Sequence, residues 1–114
     1  MRKHLHYIFV PKTLEAMYEQ EYGKWSPSDY YLWELAEDEF NGLWQDGIFD
    51  FLNMYFDVMI DEYEDEEIFY QRLYFCKEEL FEKLSKYKCH SEINKLKQMV
   101  NYAIDTRTLI CFLF

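Results

Sequence analysis

The sequence has few of the residues that form tight turns. Only three glycines and two prolines occur in 114 residues. An all-β sandwich or barrel needs a turn about every 8 to 12 residues, and such turns favour Gly, Pro, Asn and Asp. The scarcity of Gly and Pro therefore favours helices. We predict a mainly α fold, a compact bundle of about five to six helices in a single domain (residues 1–114), with termini that are either extended or helical.

Long apolar segments and cysteine motifs are also missing. The apolar run that follows the charged first residues covers only Tyr7–Val10, which is too short for the core of a signal peptide. No stretch approaches the ~20 apolar residues of a membrane span. Cys76, Cys89 and Cys111 have no spacing that indicates a disulfide framework or a metal site. We therefore expect a soluble, cytoplasmic protein with reduced thiols and no membrane partner.

The most informative absence is that of cationic side chains from the middle of the chain. Residues 25–71, called the acidic block below, contain no Lys, Arg or His. They contain 14 of the 22 acidic residues and all three tryptophans. Both flanks are weakly basic, so the net charge of −10 arises entirely in this block. Because 21% of the residues are aromatic, we expect a folded chain in spite of the charge.

Apolar residues recur with helical spacing in five stretches, which we predict to be helices. They are residues 12–22, 29 to about 42, 43 or 48 to about 62, a long helix that follows the charge run 62–67 and reaches about 88, and a last helix capped by Ser91. Gly47 favours the later start of the third helix. Residues 5–10 are predicted to be a short strand or an extended arm. Residues 106–114 are predicted to be a short helix, or a strand that pairs with residues 5–10.

Four aspartates follow one line along the predicted third helix: Asp46, Asp50, Asp57 and Asp61. Like charges four residues apart destabilise an isolated helix by roughly 0.2–0.5 kcal/mol per pair, and no Lys is mixed in to offset them. One interpretation is a solvated face that limits association. The other is a surface that meets a cationic partner, since clustered charge steers association. The second interpretation is the functional hypothesis.

Aromatic residues within the same block point to a protein interface. Trp25 lies in a Ser-Pro loop, and the aromatic residues that follow it cannot all point inward from one helix. Some rings should therefore be exposed among the acids, and hot spots of interfaces are rich in Trp and Tyr. The predicted partner-binding residues are Trp25, Asp29, Tyr30, Glu34, Glu37, Asp38, Asp57, Asp61, Glu64 and Asp65.

Motifs that carry chemistry are lacking. His4 and His6 would lie on one side of a strand as a possible metal pair, but no third ligand is apparent. Cys89 and His90 are adjacent, and neighbours rarely form a nucleophile–base pair. Neither a glycine-rich phosphate loop nor an EF-hand loop is present. We predict no enzymatic activity, no metal and no cofactor, and no direct binding of nucleic acid, since the acids would repel phosphates.

The acidic residues from Asp29 to Glu67, with their aromatic neighbours, give the chain a resemblance to a known class of proteins. It resembles the immunity proteins of bacterial toxin–immunity systems, in particular those of contact-dependent growth inhibition. The resemblance lies in overall character and not in a motif, so it assigns no role to an individual residue. It implies a partner that is a basic nuclease toxin domain, whose nucleic-acid-binding cleft is covered by acids that stand in for phosphates.

Two alternatives stay open. The first is a phage-type mimic of nucleic acid that inhibits a host complex handling DNA or RNA. The second is a small metal-dependent enzyme built on His4, His6 and nearby acids.

Overall fold

The chain folds into an antiparallel sheet covered by helices. The computed structural model describes residues 4–21, 23 and 26–114, without the side chains of residues 20 and 21. Its elements, in chain order, are β1 (His6–Pro11), α1 (Leu14–Glu21), a 3-10 turn (Pro27–Asp29), β2 (Tyr30–Leu35), α2 (Glu37–Asp46), α3 (Ile48–Phe56), β3 (Asp65–Phe69), α4 (Tyr70–Leu84), α5 (His90–Thr106) and β4 (Leu109–Leu113).

The two chain ends supply the centre of the sheet. The strand order is β2-β1-β4-β3, and all neighbouring strands are antiparallel. Of the two alternatives predicted for residues 106–114, the strand that pairs with residues 5–10 is therefore the one that the structure shows, and not the short helix. One row of paired residues crosses all four strands, from Glu34 through Tyr7 and Leu113 to Asp65. Because side chains alternate between the two faces of a strand, these four residues share one face.

The main core lies on the other face of the sheet, beneath α2, α3, α4 and α5. The buried residues that the strands contribute to it alternate along each strand. They are Ile8, Val10, Trp33, Leu35, Ile68, Ile110 and Phe112. The helices add leucine-rich faces, for example Leu73, Leu80 and Leu84 of α4, all of which are buried. The long helix α4 thus matches the predicted apolar stripe over most of its length.

The opposite face of the sheet is covered only in part by α1. Phe9, Tyr30, Leu109 and Cys111 are buried there, with Met17 of α1 packed against them. The hydroxyl of Tyr30 donates a hydrogen bond to the carbonyl oxygen of Ala16 at 3.1 Å, which ties β2 to α1. This face is therefore an apolar cluster next to α1 and a polar surface farther away.

The prediction of a mainly α bundle is wrong, because the described chain is an α+β fold with a four-stranded sheet. The largest error is the helix predicted from residue 29 to about 42. Residues 30–35 form the edge strand β2, and α2 starts only at Glu37. Trp33 and Leu35 are buried on the main-core face of this strand and Tyr30 on the opposite face, and aromatic and apolar residues favour a strand once a neighbouring strand is available.

A second error concerns residues 57–69. Helix α3 ends at Phe56, and Asp57 adopts a left-handed conformation with φ of 55°. The chain then forms a loop and the strand β3, where a helix junction was predicted. The line of four aspartates is therefore broken, because Asp46 ends α2 and Asp61 lies in the loop. Gly47, with φ of 87°, separates α2 from α3, as the predicted start at Ile48 requires.

In the part of the chain that the structure describes, no helix has both the length and the apolar character needed to cross a membrane.

Candidate functional site: an acidic cleft at one end of the sheet

A cleft of about 590 Å³ opens where β1 begins and β2 ends. Its walls come from the residues before and at the start of β1, the end of β2, the first turn of α2 and the loop before β3. The lining residues that carry polar or aromatic groups are His4, His6, Glu34, Glu37, Phe40, Asn41 and Glu62. Three separate segments of the acidic block thus contribute a carboxylate to one cleft, which we call the acidic cleft.

The sheet register explains why carboxylates collect at this end. Glu34 near the end of β2 and Asp65 at the start of β3 stand at the two edges of the same row. Neighbouring strands lie about 4.8 Å apart, so the two residues are separated by about 14 Å across the sheet. Tyr7 and Leu113 lie between them. Both edges of the sheet therefore end in acidic side chains beside a partly apolar centre.

Helix α2 adds its first turn to the same end of the sheet. Glu37, Asp38 and Glu39 open the helix, where the helix dipole stabilises negative charge. Glu37 and Asp38 are exposed, whereas Glu39 turns back and accepts a hydrogen bond from the backbone N–H of Ala36 at 2.8 Å. Of the three acids in this turn, Glu39 is thus bonded to the backbone, whereas Glu37 and Asp38 lie at the surface.

Two histidines line the acidic cleft. His6 is stacked on Phe40, with ring centroids 3.6 Å apart, and His4 makes an edge contact with His6 at 4.8 Å. The Nε2 atom of His4 lies 2.8 Å from the carbonyl oxygen of Phe114, the last residue of the chain. The predicted neighbourhood of the two imidazoles is present, and aromatic packing holds them.

His6 is largely enclosed and has one acidic neighbour. Its Nε2 atom lies 3.4 Å from Oε1 of Glu62, without the alignment of a hydrogen bond. Burial lowers the pKa of His6 below its usual 6.5, and the nearby His4 adds to this effect, while Glu62 and Glu37 oppose it. The neutral imidazole is therefore the favoured form in the folded protein.

Few lysines or arginines neutralise the acidic block in the described part of the chain. One such ion pair joins Lys95 to Glu39 at 2.9 Å. Asp46 is held differently, since one of its oxygens accepts the backbone N–H groups of Lys88 and Cys89. Glu34 and Glu62 at the cleft have no Lys or Arg partner among the described residues. In the described part of the chain, Glu34 and Glu62 therefore differ from Glu39 and Asp46, which are held by contacts within the fold.

The structure brings six of the predicted partner-binding residues to this end of the sheet. Glu34 and Glu37 line the cleft, Asp38 follows in the same helical turn, and Asp65 ends the shared row. The remaining two flank Glu62 in the loop before β3, and both are exposed: Asp61 and Glu64.

The other predicted residues lie elsewhere. Asp29 closes the 3-10 turn before β2, at the far end of that strand from the cleft. Tyr30 is only 4% exposed and bonds to α1, so its ring offers no surface to a partner. Asp57 is exposed at the end of α3. Trp25 lies outside the described residues.

Sequence reasoning did not place Glu62 and Phe40 at a site. Glu62 belongs to the charge run 62–67, which was interpreted as a helix junction. Residues 65–69 read Asp-Glu-Glu-Ile-Phe, three acids followed by two apolar residues, so they lack the alternation that would have predicted a strand there. Phe40 was predicted to be buried, and it is 5% exposed.

The cleft is not arranged as a metal site. Among the described residues, no group of three or more His, Cys, Asp or Glu side chains is placed to hold a metal ion. The Nε2 atom of His4 is already engaged with a backbone carbonyl. The acidic cleft can instead attract a cation that is presented by another molecule, such as a lysine or arginine side chain.

No protein-family model, curated protein or solved structure matches the chain. Function therefore has to be inferred from the residues themselves.

Proposed function

We propose that this protein is an inhibitory binding protein of the immunity type, which docks a cationic protein partner at the acidic cleft. The partner class is a basic nuclease toxin domain, whose nucleic-acid-binding surface the acidic cleft would cover. Lysine and arginine side chains of such a surface normally bind phosphates. Carboxylates at the cleft would offer them charge-assisted hydrogen bonds in place of those phosphates.

The observation that carries the proposal is the convergence of acids from distant parts of the chain. Glu34 comes from a strand, Glu37 from the start of a helix and Glu62 from a loop, and yet all three line one cleft. Such an arrangement costs electrostatic self-repulsion, which a partner of opposite charge relieves. Clustered charge of one sign also accelerates the association of oppositely charged proteins by roughly 10–10³-fold.

Binding measurements with charge-reversed variants test the proposal. The purified chain is immobilised and exposed at low salt to a lysate of the organism that encodes it, and captured proteins are identified by mass spectrometry. We expect a basic protein, whose affinity falls as salt is raised. The double variant Glu34→Lys and Glu62→Lys, at two carboxylates that line the cleft, should weaken its binding by at least about tenfold, since each charge contributes to association.

A matched control separates the cleft from the net charge. Glu15→Lys and Asp105→Lys change the net charge by the same amount at exposed positions away from the cleft. This control should keep most of the affinity. The cleft variant should also be at least as stable to urea as the unmodified chain, because it relieves repulsion. Equal loss of binding in both variants, or capture of an acidic protein alone, would contradict the proposal.

The identity of the captured protein decides between the two binding hypotheses. A nuclease domain supports the immunity function, whereas a host complex that handles DNA or RNA supports the phage-type mimic.

A further inference from the structure

An apolar part of the sheet, on the side opposite the main core, is left uncovered by α1. Leu32 on β2 is 42% exposed and Leu113 on β4 is 39% exposed. Tyr7 on β1 is half-buried, pairs with Leu113 and is the diagonal neighbour of Leu32. Single exposed apolar side chains are ordinary, but neighbouring ones on one face indicate a contact surface. We call the surface formed by Tyr7, Leu32 and Leu113 the open sheet face.

Acidic side chains border the open sheet face at both edges of the sheet. Glu34 of β2 pairs with Tyr7, and Asp65 of β3 pairs with Leu113, so the two acids end the same row of residues. Both are exposed, and in the described part of the chain neither forms an ion pair with Lys or Arg. The row therefore has an apolar centre and a negative charge at each end, about 14 Å apart.

We propose that the open sheet face binds an amphipathic helix of a cationic protein, which packs apolar side chains on Tyr7 and Leu113 and extends a Lys or Arg to Glu34 and to Asp65. The inference rests on the proposed function, which supplies a cationic partner, and it names the element of that partner that makes the contact. Glu34 also lines the acidic cleft. One partner can therefore contact the cleft and the open sheet face together.

The backbone explains why the bound element is a helix. A helix satisfies its own N–H and C=O groups, whereas an extended segment lying on a sheet face would leave its groups without partners. Helix α1 occupies the same side of the sheet near Leu109 and Cys111, so the incoming helix lies beside α1, along the row from Glu34 to Asp65. With a rise of 1.5 Å per residue, about nine helical residues span that row.

The two acids disfavour the other occupants of an apolar surface. A second copy of the chain would bring its own Glu34 and Asp65 against the same two residues, and it has a net charge of −10. Anionic lipid headgroups and the phosphates of nucleic acid would be repelled for the same reason. A cationic helix instead gains a charge-assisted hydrogen bond at each end of the row.

Synthetic peptides test the inference without the natural partner. The probe is a labelled peptide of Leu, Ala and Lys, about 15 residues long, whose leucines form one helical stripe with lysines at both ends. A second peptide has the same composition in an order that forms no stripe, and a third has Glu in place of Lys. In fluorescence anisotropy titrations we expect the probe to bind at least about fivefold more tightly than the second peptide, and the third not to bind.

Substitutions locate the contact on the protein. The double variant Leu32→Ser and Leu113→Ser should weaken probe binding by at least about tenfold, and the loss should persist at high salt because the apolar contact is not screened. The matched control Met54→Ser and Phe75→Ser removes two apolar side chains that are more exposed, on the helices α3 and α4. This control should bind the probe like the unmodified chain.

A single substitution tests the charge at the edge of the sheet. Asp65→Asn should weaken probe binding severalfold at low salt and much less at high salt. Asp50→Asn, at an exposed position of α3, removes the same charge and should have little effect. A probe that binds no better than the peptide without a stripe, or an affinity that the two leucine substitutions leave unchanged, would overturn the inference.

Different residues separate this inference from the proposed function. Glu62 lines the acidic cleft from the loop before β3, whereas Leu32 and Leu113 lie on the open sheet face. If Glu62→Lys weakens binding of the captured partner and the two leucine substitutions do not, the proposed function holds and this inference fails. If the probe binds as expected but the captured protein is not basic, the proposed function fails while the open sheet face still binds a cationic helix.

Discussion

The acidic cleft differs from the contact between α2 and α5, although the same stretch of sequence supplies the acids of both. At the α2–α5 contact, Glu39 is bonded to a backbone N–H and to Lys95, and Asp46 accepts two backbone N–H groups. At the cleft, Glu34 and Glu62 are exposed and have no Lys or Arg partner among the described residues.

The difference shows that a run of acids in sequence can contain two classes of residue. Carboxylates that meet the lysine-rich second half of the chain stabilise the fold. Carboxylates that remain on a shared surface stabilise little by themselves, and they are the candidates for binding. Mutations that separate the two classes therefore test the comparison.

The largest effect is expected at Asp46. Replacing it by Ala leaves the N–H groups of Lys88 and Cys89 without their carboxylate partner. We expect a loss of about 1–3 kcal/mol in the free energy of unfolding, measured by urea denaturation. The loss is reduced somewhat because an acid in the last turn of α2 opposes the helix dipole. Asp50→Ala, at an exposed position of α3, should change stability by less than about 0.5 kcal/mol. If Asp46→Ala and Asp50→Ala lost the same stability, the distinction between bonded and exposed carboxylates would not hold.

A smaller effect is expected at Glu39. Its carboxylate supports the first turn of α2, so Glu39→Ala should lower the free energy of unfolding by about 1 kcal/mol. Asp38→Ala, in the same turn, should cost less, because Asp38 is exposed and its neighbour retains the cap.

Acid titration gives a second measurement at Glu39. Burial alone raises its pKa, but the bonds from Ala36 and Lys95 outweigh burial, and the pKa lies below the usual 4.5. The stabilisation is thus present above pH 4.5 and disappears as the pH falls through the folded pKa. Glu39→Gln should show less loss of stability in that acidic range than the unmodified chain. An unchanged acid profile would contradict the role of Glu39.

The smallest effect is expected at His6, on the cleft side of the comparison. Its pKa is lower in the folded state than the usual 6.5, so the unfolded chain takes up the proton first as the pH falls. Stability from the neutral ring is therefore complete above pH 6.5 and declines below it, until the folded pKa is passed. The groups that face the ring are His4, Glu62 and Glu37.

His6→Phe should remove this decline in urea denaturation midpoints, whereas His90→Phe, at an exposed position, should not. If the stability of His6→Phe still declines below pH 6.5, another titrating group causes the decline.

The helices that the sequence predicts well are those whose apolar residues pack on one partner face. In α4 and α5 the burial of Leu73, Leu80, Leu84 and Ile93 follows helical spacing, and both helices lie close to their predicted positions. The pairing of the terminal strands was predicted as one of two alternatives, because a short apolar run at the end of a chain can be buried either as a packed helix or by strand pairing.

The strands β2 and β3 were not predicted, and the reason is that edge strands depend on residues far away. Residues 30–35 pair with residues 6–11, and residues 65–69 pair with residues 109–113. Neither segment has a local hydrogen-bond partner that would distinguish a strand from a helix. Since β-propensity reflects packing against neighbours, the aromatic cluster of β2 was compatible with both.

The candidate site shows the same division. The sequence by itself determined the acidic block, the lack of cations within it and the absence of recognisable catalytic motifs. Eight of the ten predicted contact residues are acids of that block. Only the tertiary structure decided that Glu34, Glu37 and Glu62 line one cleft, that Asp46 and Glu39 are held within the fold, and that Tyr30 is buried. The physical reason is that charge is a property of each residue, whereas its neighbours are set by strand pairings between residues distant in the chain.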